Sequence, residues 1–170
     1  MKKLMKPKGP GDRGPAPQPR RPTAPSFPVV GIGASAGGLE ALESFLRHLQ
    51  PSQSGMAFVV VQHLDPTHTG LLPELLQRAS VLPVLQITDG MRLRPGHVYV
   101  IPPNKDLSMV HGVLHLLVPV APRGLRLPID LFLRSLADDL RERAIGVLLS
   151  GMGSDGTQGV RAIREHAGAV

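Results

Sequence analysis

From Pro28 onward, short β-branched runs alternate with amphipathic segments, the signature of βα units wound about a parallel sheet. Val29–Ile32 predicts a first strand. Leu39, Leu42, Phe45, Leu46 and Leu49 then recur at helical spacing, predicting a helix over Gly38–Leu49 that Pro51 closes. Met56–Gln62 predicts a second strand. Its run Ala57-Phe58-Val59-Val60-Val61 lacks polar alternation, as expected where helices cover both faces of a sheet. Leu71–Ala79 predicts a short helix.

The stretch His97–Val118 has a different texture. Val98–Ile101, Leu107–Val110 and Val113–Val118 read as strands joined by the turn signals Pro102-Pro103-Asn104 and His111-Gly112, which predicts an antiparallel insertion. Parallel character returns with a helix over Pro128–Arg141, a buried strand over Ala144–Leu149, a glycine loop over Ser150–Gly156 and a helix over Thr157–His166. Ala169-Val170 reads as the opening of a further strand. The expected fold is α/β: a doubly wound, mainly parallel sheet with helices on both faces and an antiparallel hairpin insertion, continuing past Val170 with a strand and a helix.

Composition narrows the class. A chain of 170 residues with 42% apolar content describes one domain of ordinary size. No run approaches the roughly 18 to 20 apolar residues of a membrane span. The basic start Met1–Lys8 leads into Gly and Pro instead of an apolar stretch, so neither membrane insertion nor a secretory leader is expected. With no cysteine, disulfides, thiolate zinc sites and a cysteine nucleophile are excluded, and a cytoplasmic location is expected.

The net charge of +6 suggests a nucleic-acid partner until it is divided along the chain at Phe27. Residues 1–27 hold Lys2, Lys3, Lys6, Lys8, Arg13, Arg20 and Arg21 against Asp12 alone; of the 19 basic and 13 acidic residues, twelve of each remain for the rest. The body is neutral, and no nucleic acid is expected. Residues 1–27, rich in Pro and Gly, read as a disordered leader or linker, and 28–170 as the folded domain.

Chemistry-bearing residues gather at predicted strand ends. Gly31-Ile32-Gly33-Ala34-Ser35-Ala36-Gly37-Gly38 contains Gly33-x-Ser35-x-Gly37, the spacing of a nucleophile elbow. Small neighbours let the chain turn sharply, exposing the Ser35 hydroxyl beside the free N–H groups of the next helix. A glycine-rich turn after a first strand equally describes a dinucleotide or phosphate loop. A ribose-binding carboxylate is wanted about 20 residues on, where the second strand instead ends in Gln62-His63, and the Lys-Ser/Thr pair of a P-loop is absent.

His63 would sit past the carboxyl end of a buried strand, within reach of Ser35; His68, beyond Pro66, is the competing imidazole. His48, His97, His111, His115 and His166 fall on helices, strands or the hairpin turn and read as structural. The third group should be a carboxylate that fixes the imidazole tautomer. Asp155, in Ser150-Gly151-Met152-Gly153-Ser154-Asp155-Gly156, is the candidate, with capping of the helix Thr157–His166 as its structural alternative. Asp65 is a second candidate, but a turn role suits it better.

Taken together, the Gly31–Gly38 loop, Gln62-His63, Pro95-Gly96-His97-Val98-Tyr99 and Gly151-Met152-Gly153-Ser154-Asp155-Gly156 resemble the catalytic domain of the chemotaxis protein-glutamate methylesterases, the CheB family, over Pro28–Val170. The resemblance implies a Ser35, His63, Asp155 triad, with the Met152 backbone N–H, joined by that of Ala36, as oxyanion hole. It implies hydrolysis of glutamate γ-methyl esters on chemoreceptor cytoplasmic helices with release of methanol, glutamine deamidation as a second reaction, and no cofactor or metal. An inactive receptor-binding module of the same fold is the alternative. Members acting in chemotaxis usually carry an N-terminal receiver domain, where this sequence is expected to have a disordered arm. Gly70-Leu71-Leu72-Pro73-Glu74-Leu75-Leu76 and Ile101-Pro102-Pro103-Asn104-Lys105-Asp106-Leu107 are closer to versions fused to a methyltransferase and sensor modules.

Overall fold

The computed structural model describes residues 24–35, 37–50, 55–62, 71–122, 124–150 and 153–170. Its elements are β1 (Val29–Ala34), α1 (Leu39–Arg47), β2 (Ala57–Gln62), α2 (Leu72–Ala79), β3 (Val84–Gln86), β4 (Met91–Arg92), β5 (His97–Val100), β6 (Asp106–Val110), β7 (Val113–Leu117), α3 (Pro128–Leu140), β8 (Ala144–Ser150) and α4 (Thr157–Glu165). A 3-10 turn, Arg141–Arg143, joins α3 to β8.

The main sheet runs β3-β5-β2-β1-β8 with every pairing parallel. Alternation along its strands sorts two cores. Val30, Ile32, Phe58, Val60, Val98 and Val100 pack with Leu42, Leu46, Leu72 and Leu76 of α1 and α2 on one face. Val29, Ala57, Val59, Val61 and Tyr99 pack with Ile129, Phe132, Leu133, Leu136 and Ile163 of α3 and α4 on the other.

Helix α1 has nine residues and no side-chain N-cap, well below the roughly 12 to 15 residues at which an isolated helix becomes even marginal. Full burial of Leu42 and Leu46, worth about 1.5–3 kcal/mol each, is what holds it. Helix α3 starts with Pro128, whose missing N–H costs nothing in the first turn.

A smaller antiparallel sheet, β4-β7-β6, covers the α3 side. Its hairpin turns on His111 and Gly112, at φ 50° and 73°, the paired left-handed conformations of a two-residue turn. Both turn N–H groups donate to the Asp139 carboxylate of α3 at 2.7 and 2.8 Å, and Met109 N–H donates to Ser135 Oγ.

Two expectations need correction. The run Val98–Ile101 does not belong to the antiparallel insertion: β5 lies inside the parallel sheet, between β3 and β2. Burial of Val98, Tyr99 and Val100 on both faces marks a central strand, but its partners are distant in sequence while the hairpin follows directly. Strands β3 and β4 were not anticipated, because runs of three and two residues carry no readable period. Strand β1 also extends two residues further, to Ala34.

Ahead of β1, Ala24 and Phe27 pack against the core and Arg143 Nη1 donates to Pro25 O. At the other end Ala169 bridges Ile145 in parallel, flanked by bonds to Gly146 and Ala144. Among the described residues no helix is long and apolar enough to cross a membrane.

Tyr99, the one tyrosine of the chain, is buried and its hydroxyl accepts the Arg94 N–H at 2.8 Å. Burial pushes its ionisation above the usual 10.0, and the Arg94 N–H and charge offset this only in part. The folded state therefore holds this proton more tightly. The resulting stability is complete below the usual value and is lost as pH rises through the raised one. Ultraviolet titration should show tyrosinate appearing late in the folded protein and at the ordinary value after denaturation. Ionisation at or below the ordinary value in the folded state would contradict this burial.

Helices α3 and α4 cross closely at Gly159, where an added Cβ would lie 2.5 Å from Leu133 Cβ. Helix propensity favours alanine by about 1 kcal/mol, whereas crowding costs about 1–3 kcal/mol. Rotation of the Leu133 side chain cannot move its Cβ, so crowding wins. Gly159→Ala should lower the thermal midpoint; an unchanged or higher midpoint would show that the helices do not approach this closely.

Candidate active site

The carboxyl ends of three adjacent strands are level: Ala34 of β1 pairs with Gln62 of β2 on one side and Ser150 of β8 on the other. The chain reverses its direction of travel across the sheet at β1, so the crevice past β1 and β8 is the topological switch point where open α/β sheets place their ligands. The β1–β8 register slips between Gly33 and Ala34, leaving Leu149 as an extra residue. Such a bulge re-aims the chain that follows it, here the loop leading to Asp155.

Ser35 is the first residue past β1. Its carbonyl accepts two bonds, from Gly38 N–H at 2.9 Å and from Gln62 Nε2 at 3.1 Å. The first closes a tight turn into α1, and the second ties that turn to the end of β2. Gln62 is only 7% exposed, and its Oε1 meets no donor among the described residues. An unpaired buried acceptor costs about 1–3 kcal/mol; among the described residues the Ser35 carbonyl is the partner that holds this side chain inward.

Ser35 is not among the described residues at positive φ. The two glycines of the expected elbow have different uses. Gly33 lies inside β1, where an added Cβ would fall 2.5 Å from Ile129 Cγ2 and 2.8 Å from Leu148 Cδ2, so it admits the start of α3. Gly37 is exposed, with nothing within 4 Å of a Cβ, and leaves space beside Ser35. Helix α1 starts at once, with Gly38 as an N-cap lacking any side-chain bond, so the positive helix end faces this turn.

Asp155 is half-buried in the loop after β8. Its Oδ2 accepts Ile129 N–H at 3.1 Å and its Oδ1 accepts Asp130 N–H at 2.8 Å, so it caps the first turn of α3. This corrects the expected capping of its own helix: the N-cap of α4 is Gly156, at φ 100°, without a side-chain bond. The cap of α4 comes instead from Asp130, whose Oδ1 accepts Gly156 N–H at 3.0 Å and Gly159 N–H at 2.7 Å.

Ile129 and Leu148 line both Gly33, two residues before Ser35, and Gly156, directly after Asp155. One apolar patch thus underlies both loops. His63, Ala36 and Met152, with the competitors His68 and Asp65, lie outside the described residues. The remaining histidines have other places: His48, His97 and His166 set Nδ1 against the carbonyls of Ser44, Pro95 and Ala162, His111 turns the hairpin, and His115 lies 3.9 Å from Asp89. Among the described residues no group of three or more His, Cys, Asp or Glu side chains is placed to hold a metal ion. Sequence reasoning missed Gln62 and Asp130; Asp130 in particular reads as an ordinary acidic residue of its own helix's first turn.

The model of the CheB methylesterase family matches residues 30–170. A protein-glutamate methylesterase/protein-glutamine glutaminase of Caulobacter vibrioides is 39% identical over 158 residues, covering 91% of this chain and 45% of the relative. One from Cupriavidus metallidurans is 40% identical over 162 residues, covering 92% and 47%. This chain therefore spans about half the length of these relatives. The crystal structure of the Thermotoga maritima CheB methylesterase catalytic domain superposes with a TM-score of 0.72 at 31% identity, covering 84% of this chain and 77% of that one. With the family match running through β1, both loops and α4, this chain belongs to the CheB methylesterase family.

Proposed function

We propose that this chain is a serine hydrolase that removes methyl groups from glutamate γ-methyl esters on the cytoplasmic helices of chemoreceptors, with Ser35, His63 and Asp155 as its triad. The observation that carries the proposal is the presentation of Ser35 at the switch point beside the loop of Asp155, in a chain whose relatives are named protein-glutamate methylesterase/protein-glutamine glutaminase.

Ser35 Oγ attacks the γ-carbonyl carbon while His63 takes its proton. The tetrahedral intermediate then expels methoxide, which leaves as methanol with that proton. Water, deprotonated by His63, releases the glutamate carboxylate and restores the serine. Asp155 orients the imidazole, and the N–H groups of Met152 and Ala36 receive the oxyanion; such a donor is worth about 2.7–4 kcal/mol of barrier. A glutamine side chain reacts in the same way with ammonia leaving, which fits the second activity in the relatives' names. The proposed location is the cytoplasm, and the proposed associates are a methyltransferase and sensor modules.

Ser35→Ala should abolish methanol release from methylated receptor and leave the circular dichroism spectrum unchanged. Turnover equal to the parent would remove Ser35 as nucleophile, and receptor binding without turnover in the parent would select a binding module instead. The rate should also fall on acidification, as an imidazole base protonates; a flat profile on the acid side would exclude His63 as the base.

A further inference from the structure

We propose that Asp130, on α3, is a positioning residue for ester hydrolysis, holding the loop that presents Asp155. The proposal rests on Asp155 serving as the carboxylate of the Ser35 site.

Asp130 is one of two buried polar or charged side chains among the described residues, at 6% exposure. Its Oδ1 accepts two N–H groups from another helix, Gly156 at 3.0 Å and Gly159 at 2.7 Å. The Gly156 N–H belongs to the rigid peptide unit that starts at the Asp155 Cα. Asp130 therefore grips the backbone from which the Asp155 side chain springs. In return, Asp155 Oδ1 accepts the Asp130 N–H at 2.8 Å and Oδ2 the Ile129 N–H at 3.1 Å.

The two residues form a closed ring of bonds between α3 and the start of α4, each carboxylate seated on the other helix's positive end. Backbone and side chain of Asp155 are thus both held from α3. Gly156, at φ 100° and with Leu148 Cδ2 2.5 Å from any added Cβ, has no side chain to do this locally. Without the Asp130 carboxylate, Asp155 keeps its own two bonds, but the loop backbone carrying it is released. An orienting carboxylate displaced by an ångström costs catalysis more than binding, on the order of 100-fold in rate.

Methyl-ester hydrolysis would be measured for Asp130→Ala, Asp130→Asn, Asp155→Ala and the Ala/Ala double variant, each normalised to folded protein. Asp130→Ala should lower kcat by on the order of 10- to 100-fold with KM little changed. Asp130→Asn keeps a carbonyl oxygen at Oδ1 and should recover most of the loss. The double variant should be no slower than Asp155→Ala alone, because both act through one group.

A lower thermal midpoint for Asp130→Ala with parent kcat, or a double variant whose losses multiply, would overturn the proposal while leaving the triad intact. Parent kcat in Asp155→Ala would instead remove the reading on which it rests. Should Asp130→Ala not fold, Asp130→Glu shifts the carboxylate by one methylene and is read in the same way.

Discussion

The site depends on how closely α3 can lie against β1 and α4. Three glycines permit it: Gly31 and Gly33 on the β1 face, where a Cβ would meet Leu133 and Ile129 at 2.6 and 2.5 Å, and Gly159 at the helix crossing. Side chains at these positions would hold α3 away from the sheet. At that greater separation Asp155 could not reach the N–H groups of Ile129 and Asp130, nor Asp130 those of Gly156 and Gly159. Tight packing is thus the condition for the polar contacts, and charge-assisted bonds to backbone N–H groups, typically about 1.5–3 kcal/mol each, then lock the helices together.

Ser35 is held by similar means. Its carbonyl is fixed by a backbone donor from its own turn and by a buried amide from the next strand. On both sides of the crevice, Ser35 and Asp155 are located by bonds to backbone and by apolar packing beneath, through Ile129 and Leu148.

Helix α3 is therefore more than a cover for one face of the sheet. Its first turn engages the Asp155 loop, and its last turns engage the β6–β7 hairpin through Ser135 and Asp139. One rigid element joins the antiparallel sheet to the edge that carries Ser35 and Asp155.

Much of this was written in the residues themselves. The period of Leu39, Leu42 and Leu46 marked α1, the unbroken run Ala57–Val61 marked a doubly covered strand, and glycine-flanked Ser35 and Asp155 marked two strand-end loops. Local patterns of this kind survive because each answers to the period of its own element. What the sequence did not disclose were relations between distant segments. The placement of β5 in the parallel sheet, the Gln62 bond to Ser35 and the exchange of caps between Asp130 and Asp155 were settled only when the chain packed. A carboxylate in a helix's first turn looks the same in sequence whichever helix it caps; the approach of α3 to α4 chose the partner, because it brings the first N–H groups of each helix within reach of the other's carboxylate.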